Sequence, residues 1–164
     1  MSLLIRPAKK DDVSSILDIV NHEIVYSTSI YDYKPRTYEK QLTWFEQKQR
    51  DCMPVIVAEK KGVITGFGSY GIFRPWDGYR FSVEHSIYVH KDHRNTGTGK
   101  AIMESLITQA KKESYHTMIA GVDAANEASI AFHKQFGFKE AGLFREVGHK
   151  FDQWLDLLFL QLIL

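Results

Sequence analysis

Residues 94–100 of the 164-residue chain read Arg-Asn-Thr-Gly-Thr-Gly-Lys, directly ahead of an apolar pattern with helical spacing. Two glycines beside an arginine, a lysine and two threonines suit a bound anion. Amides at a helix start lack intrahelical partners, the helix dipole adds positive potential, and glycine lets a ligand approach the backbone. A pyrophosphate fits that chemistry. A loop that merely tightens a turn fits the spacing equally well. Two nucleotide templates fail here. A phosphate loop needs glycine where Arg94 stands and Ser or Thr where Ala101 stands. The dinucleotide pattern needs a third glycine where Ile102 stands.

The elements around this loop follow from periodicity. FSVEHSIYVH, residues 81–90, is β-branched and aromatic and reads as a strand entering the loop. Ile102, Leu106, Ile107 and Ala110 mark one face of the helix leaving it. Upstream, LLIRPA is a short strand closed by Pro7. Asp11 or Asp12 is expected to cap a helix with the stripe Val13, Ile16, Leu17, Val20 and Ile24. STSIYDYKPRT is a loop before a second helix through Trp44 and Phe45. Residues 53–73 read as two strands joined at Lys61-Gly62. TMIAGVDA is a strand, Asn126 caps a helix that stops near Gly137, and the tail from about Gly142 gives two more strands. The order is β α α β β β α β α β β. This predicts an α/β chain with one mixed sheet, parallel near the third helix.

Lys and Arg number 21 against 20 Asp and Glu, a formal +1, so no basic field advertises nucleic acid and any anion site must be local. Hydrophobic residues make up 44% and charged residues 25%, an ordinary globular mixture. The lone Cys52 excludes an internal disulfide and a cysteine metal cluster, and it suits a reducing compartment. The start turns polar too early for a signal peptide. The longest apolar stretch, residues 155–164, is about half the ~20 residues of a membrane helix. A cytoplasmic, membrane-free, metal-free protein forming a single domain over residues 1–164 is expected.

Two motifs in order resemble a known family. Arg94-x-x-Gly97-x-Gly99 after a strand, and Asn126-x-x-Ser129-Ile130-x-x-His133-x-x-x-Gly137-Phe138, resemble the GCN5-related N-acetyltransferases (GNAT) over essentially the whole chain. VEHSIYVHKDHRNTGTGK, ASIAFHKQFGF and REVGHKFDQWLDLLFLQ resemble the branch that acetylates phosphinothricin and methionine sulfoximine.

That resemblance implies a mixed, mostly antiparallel sheet with splayed central strands and acetyl-CoA as acetyl donor. Ile87, Tyr88 and Val89 would face the pantetheine arm, with the Val89 amide polarising the thioester carbonyl. Arg94, Asn95, Thr96, Gly97, Thr98, Gly99 and Lys100 would hold the pyrophosphate, and Asn126 and His133 would line the cofactor cleft. Glu84 would act as general base on the substrate amine, directly or through water. His133 stands where many relatives carry an acidic tyrosine, so the leaving thiolate takes its proton either from His133 or from solvent. Arg74, Pro75, Trp76, Glu84, His85 and Ser86 would shape the substrate pocket, Arg74 through a carboxylate. Tyr26, Thr28 and Tyr31 lie on a loop that could close over it. His149 and Trp154 fit either core or dimer-contact roles, and the apolar last strand fits either a homodimer interface or an inner strand. The partner implied is a small amino-acid substrate, with no nucleic acid or membrane.

Overall fold

A computed structural model describes residues 2–164. Seven strands and four helices alternate in the expected order: β1 (Leu4–Pro7), α1 (Val13–Tyr26), α2 (Tyr38–Arg50), β2 (Val55–Lys60), β3 (Val63–Ile72), β4 (Ser82–Val89), α3 (Thr98–Lys112), β5 (Thr117–Asp123), α4 (Glu127–Lys134), β6 (Lys139–Lys150) and β7 (Gln153–Ile163). The strands form one sheet in the order β1-β2-β3-β4-β5-β7-β6. Every neighbouring pair is antiparallel except β4 and β5, which α3 connects as a crossover.

Alternation along the strands divides the core. On one face Tyr70, Val83, Met118 and Leu160 pack with Ile102, Met103 and Leu106 of α3. On the other, Val57 and Phe67 pack with Val13, Ile16, Ile19, Val20 and Ile24 of α1 and Phe45 of α2. Leu106 is fully buried, so Leu106→Ala is expected to cost about 2–5 kcal/mol.

Local chemistry decided several boundaries. Lys61 and Gly62 both take positive φ, 54° and 78°, as a two-residue hairpin with matching twist requires. Asn126 caps α4, its side chain accepting from the Ser129 amide at 3.0 Å. Asp12 precedes α1 without capping it. Its carboxylate instead accepts from Arg6 at 2.7 and 2.9 Å and from the Lys9 amide at 2.7 Å. Ile19 joins the buried stripe of α1, while Leu17 is only half-buried. The penultimate strand starts at Lys139, before Gly142. β7 is an inner strand between β5 and β6. No helix among the described residues is long and apolar enough to cross a membrane.

Candidate functional site

β4 and β5 pair only through Ser82–Thr117, Val83–Met118 and Glu84–Ile119. Beyond that point β4 runs on along β3 to Val89, and β5 runs on along β7 to Asp123. The two strands therefore part at Glu84. Ser82 accepts from the Phe73 amide and the His90 amide donates to Thr65, so even-numbered backbone groups turn toward β3. Those of Ile87 and Val89, beyond the last rung, turn into the gap. Tyr88 has its backbone on β3, opposite Phe67, and its ring against the same residue on the α1–α2 face. Splaying thus leaves polar backbone on an inner strand without a strand partner, and such groups need one.

The anion-loop residues sit at the open end of this gap. His90 leads into a short 3-10 turn over Lys91–His93, and Gly97 is the N-cap of α3 with φ 85°, a conformation that favours glycine. Ala101 N donates to Gly97 O as the first bond of the helix, which leaves the amides of Thr98, Gly99 and Lys100 outside its ladder. Thr98 is buried, with its hydroxyl 3.1 Å from that of Thr96. Asn95 has φ 59°, and Lys100 is exposed beside Glu104. Arg94 bonds Glu23 of α1, a buried carboxylate that also accepts from the Ser27 hydroxyl at 2.7 Å. Glu23 interrupts the apolar stripe of α1 one residue before Ile24, a charged group on a core face that the spacing alone could have flagged.

Glu84 projects on the α1–α2 face against β5. A Cβ added at Gly121 would lie 3.2 Å from Glu84 Oε1, so glycine there leaves room for the carboxylate. Burial raises the Glu84 pKa, and the positive charge of Arg74 partly offsets that rise. Arg74, Pro75 and Trp76 are exposed on the β3–β4 connection, with the Arg74 guanidinium 5.2 Å from the Phe73 ring centre. Ser86 follows Glu84 on the same face and is exposed. His85 takes the opposite face.

His85 and His133 form a buried pair, Nε2 to Nε2 at 3.1 Å. His133 Nδ1 lies 2.7 Å from the Ser129 carbonyl oxygen, which can only accept, so that nitrogen carries the proton. His133 Nε2 then accepts from His85 Nε2–H, and His85 Nδ1 is left as a buried acceptor without a partner among the described residues. Burial lowers the pKa of both rings, that of His85 to about 3 with the neighbouring His133 contributing. Both imidazoles are neutral at pH 7, and His133 Nε2 has no proton to donate.

The α1–α2 loop is pinned over the tips of the C-terminal strands. Thr28 donates to Asp123 at 2.5 Å, and Lys150 Nζ donates to the carbonyls of Ser27 and Ile30 at 2.7 and 2.5 Å. Tyr33 donates to the His149 carbonyl at 2.7 Å, and the Tyr31 ring packs against Gly148. Asp123 and Lys150 carry no sequence signal for this role, because their partners are about a hundred residues away. Tyr26 is exposed. His149 and Trp154 meet as tilted rings with centres 4.8 Å apart and are exposed, which removes them from the core. Cys52 is exposed at the end of α2. No cluster of three or more His, Cys, Asp or Glu side chains placed to hold a metal occurs among the described residues.

Comparison with known proteins matches residues 5–159 to the acetyltransferase (GNAT) domain. The L-amino acid N-acyltransferase MnaT of Escherichia coli is 40% identical over 158 residues, covering 96% of this chain and 92% of that protein. The L-methionine sulfoximine/L-methionine sulfone acetyltransferase of Salmonella typhimurium is 40% identical over 160 residues, 98% of this chain and 94% of that protein. Among solved structures, a GNAT superfamily phosphinothricin acetyltransferase from Sinorhizobium meliloti in complex with acetyl-CoA superimposes with a TM-score of 0.95. It is 31% identical, with 100% of this chain and 89% of that one covered. The splayed sheet and these matches agree: the chain belongs to the GNAT acetyltransferase family and is an acyltransferase.

Proposed function

We propose that the protein transfers an acetyl group from acetyl-CoA to the α-amine of a small amino acid analogue of the methionine sulfoximine or phosphinothricin type. The observation that carries this reading is Glu84: a half-buried carboxylate with a raised pKa, at the point where β4 and β5 part. Acetyl-CoA supplies an activated thioester carbonyl. The free backbone groups of Ile87 and Val89 suit an extended pantetheine arm, and the exposed amides at the start of α3, with Arg94, suit its pyrophosphate. Val89 N–H donates to the carbonyl oxygen as negative charge builds there.

Glu84 takes the proton of the substrate ammonium, directly or through one water, so that the neutral amine attacks. Its raised pKa brings it nearer to working pH than an ordinary carboxylate. Arg74 holds the substrate carboxylate beside the amine, Pro75 and Trp76 bound that end of the pocket, and Ser86 lies on the inner side next to Glu84. Ile87 and Asn126 border the arm. The neutral His133, its Nε2 lone pair engaged by His85, supports solvent as proton donor to the departing thiolate. Arg74 also disfavours a polyamine substrate, which it would repel. Residues 1–164 act as one domain, working in the cytoplasm without a metal.

Leu143, Phe144, Val147, Phe151 and Trp154 expose apolar surface on β6 and the β6–β7 hairpin, 46%, 51%, 57%, 51% and 66% of their area respectively. Paired with the same surface of a second copy, they would form the homodimer interface.

The test is a panel of amines assayed by CoA release: methionine sulfoximine, phosphinothricin, ordinary amino acids, spermidine and an N-terminal peptide. Turnover of the first two well above the rest is expected. Preference for the peptide or spermidine overturns the substrate assignment.

A further inference from the structure

A cavity of ≈ 140 Å³ opens behind Glu84 on the α1–α2 face of the sheet. Arg36, Gln41, Lys48, Ser69 and Ser86 line it with Glu84 at one side. Two of its side chains, Gln41 through Nε2 and Lys48 through its ammonium, offer donors that can only be matched by an acceptor. Gln41 is 1% exposed, yet its Nε2 has no partner among the described residues. Its orientation follows from Arg36, whose Nη1 donates to Gln41 Oε1 at 3.4 Å; flipping the amide would set two donors face to face. A buried amide donor without an acceptor costs about 1–3 kcal/mol. Lys48 reaches the same cavity from α2. Its ammonium gives one hydrogen to the Tyr70 carbonyl at 2.8 Å and forms no ion pair with a carboxylate among the described residues. Burial lowers its pKa, the mark of a cation short of water, and the charge of Asp51 only partly offsets that.

We propose that this cavity is a subsite for the oxygen-bearing end of the substrate side chain, a sulfonyl, phosphinyl or carboxylate group, held by Gln41 Nε2 and Lys48 Nζ. The assignment rests on the amino-acid reading above and deepens it. Glu84 takes the amine at the cavity mouth, Arg74 takes the α-carboxylate on the exposed β3–β4 connection, and the side chain is left to point inward. There an acceptor oxygen satisfies Gln41 and offsets the Lys48 charge, whereas a thioether or alkyl chain would leave both unpaired. That asymmetry is a strong source of selectivity, because a site built to hydrogen-bond penalises an analogue lacking the partner.

Methionine sulfone and methionine differ by the two sulfonyl oxygens and so isolate the effect. In the wild-type enzyme kcat/KM for the sulfone should exceed that for methionine by about tenfold or more. Gln41→Leu and Lys48→Met, which keep side-chain bulk, should each cut that ratio by about tenfold, chiefly through KM for the sulfone. A wild type that uses both equally well overturns the subsite. So does a variant in which both substrates lose activity alike and the ratio stays within about threefold, the outcome of a merely structural role. Should one variant fail to fold, the other and the wild-type ratio still decide. A wild type that is protected thermally by acetyl-CoA but acetylates neither compound overturns the amino-acid reading itself.

Discussion

Glu84 pairs with Ile119, and that pair is the last rung between β4 and β5. The carboxylate proposed to take the proton therefore sits at the apex of the gap proposed to take the thioester. Glu84→Gln keeps the shape and removes the base, so turnover should fall about 10²–10⁴-fold while acetyl-CoA still raises Tm. Full activity of this variant at neutral pH would remove Glu84 from the mechanism.

The same substitution should stabilise the fold at higher pH. The Glu84 carboxyl has a folded pKa raised by burial, so the native state holds that proton more tightly than the unfolded chain does. The stability it contributes is present below the unfolded carboxylate value and is lost as pH rises through the raised folded value. Tm of Glu84→Gln is expected to exceed that of the wild type at pH 8 and to match it near pH 4.

Arg74 partly offsets the desolvation of Glu84. Arg74→Ala should then raise KM for the amino acid and move the acidic limb of the pH–rate profile upward, since the base stays protonated to higher pH. An unchanged KM together with an unmoved limb would take Arg74 out of the pocket.

Arg94 and Glu23 separate binding from stability. Arg94→Ala leaves the buried Glu23 carboxylate without its cation, so both Tm and acetyl-CoA affinity should drop, the latter by about tenfold. Adding Glu23→Gln to Arg94→Ala should restore Tm without restoring affinity, read by thermal unfolding and calorimetric titration. Recovery of affinity in the double variant would show that Arg94 acts only through the fold.

His85 and His133 make the fold acid-sensitive. Their folded pKa values are depressed, that of His85 to about 3, so the stability they contribute is present above the unfolded value of about 6.5 and is lost as pH falls toward the folded ones. His85 should add up to about 1.4 kcal/mol per pH unit to the slope in that window, and His133 acts in the same direction. Urea unfolding of His85→Phe between pH 6.5 and 4 should give a shallower slope than the wild type.

How much of this was legible in the chain depends on the range of each interaction. Period and turn chemistry sufficed for the element order, the Lys61-Gly62 hairpin and the Asn126 cap, because each rests on contacts within a few residues. Template spacing sufficed for Gly97 at the start of α3. The spacing offers Asp11 or Asp12 as the cap of α1, and neither serves, because Arg6 of β1 bonds the Asp12 carboxylate instead. The partners of Glu84 were also out of reach. That it ends the β4–β5 ladder, faces Gly121 and feels Arg74 follows from three separate elements meeting, and the desolvation that raises its pKa exists only after they pack. His133 shows the same division. Its position in the motif was plain, but its tautomer depends on Ser129 one turn away and on His85 from another strand. Which groups are available, and in what order their elements follow, is written in the residues and their local periodicity. Tertiary structure alone decided which backbone amides stay unpaired and which ionisable groups lose water, since both are properties of the assembled sheet.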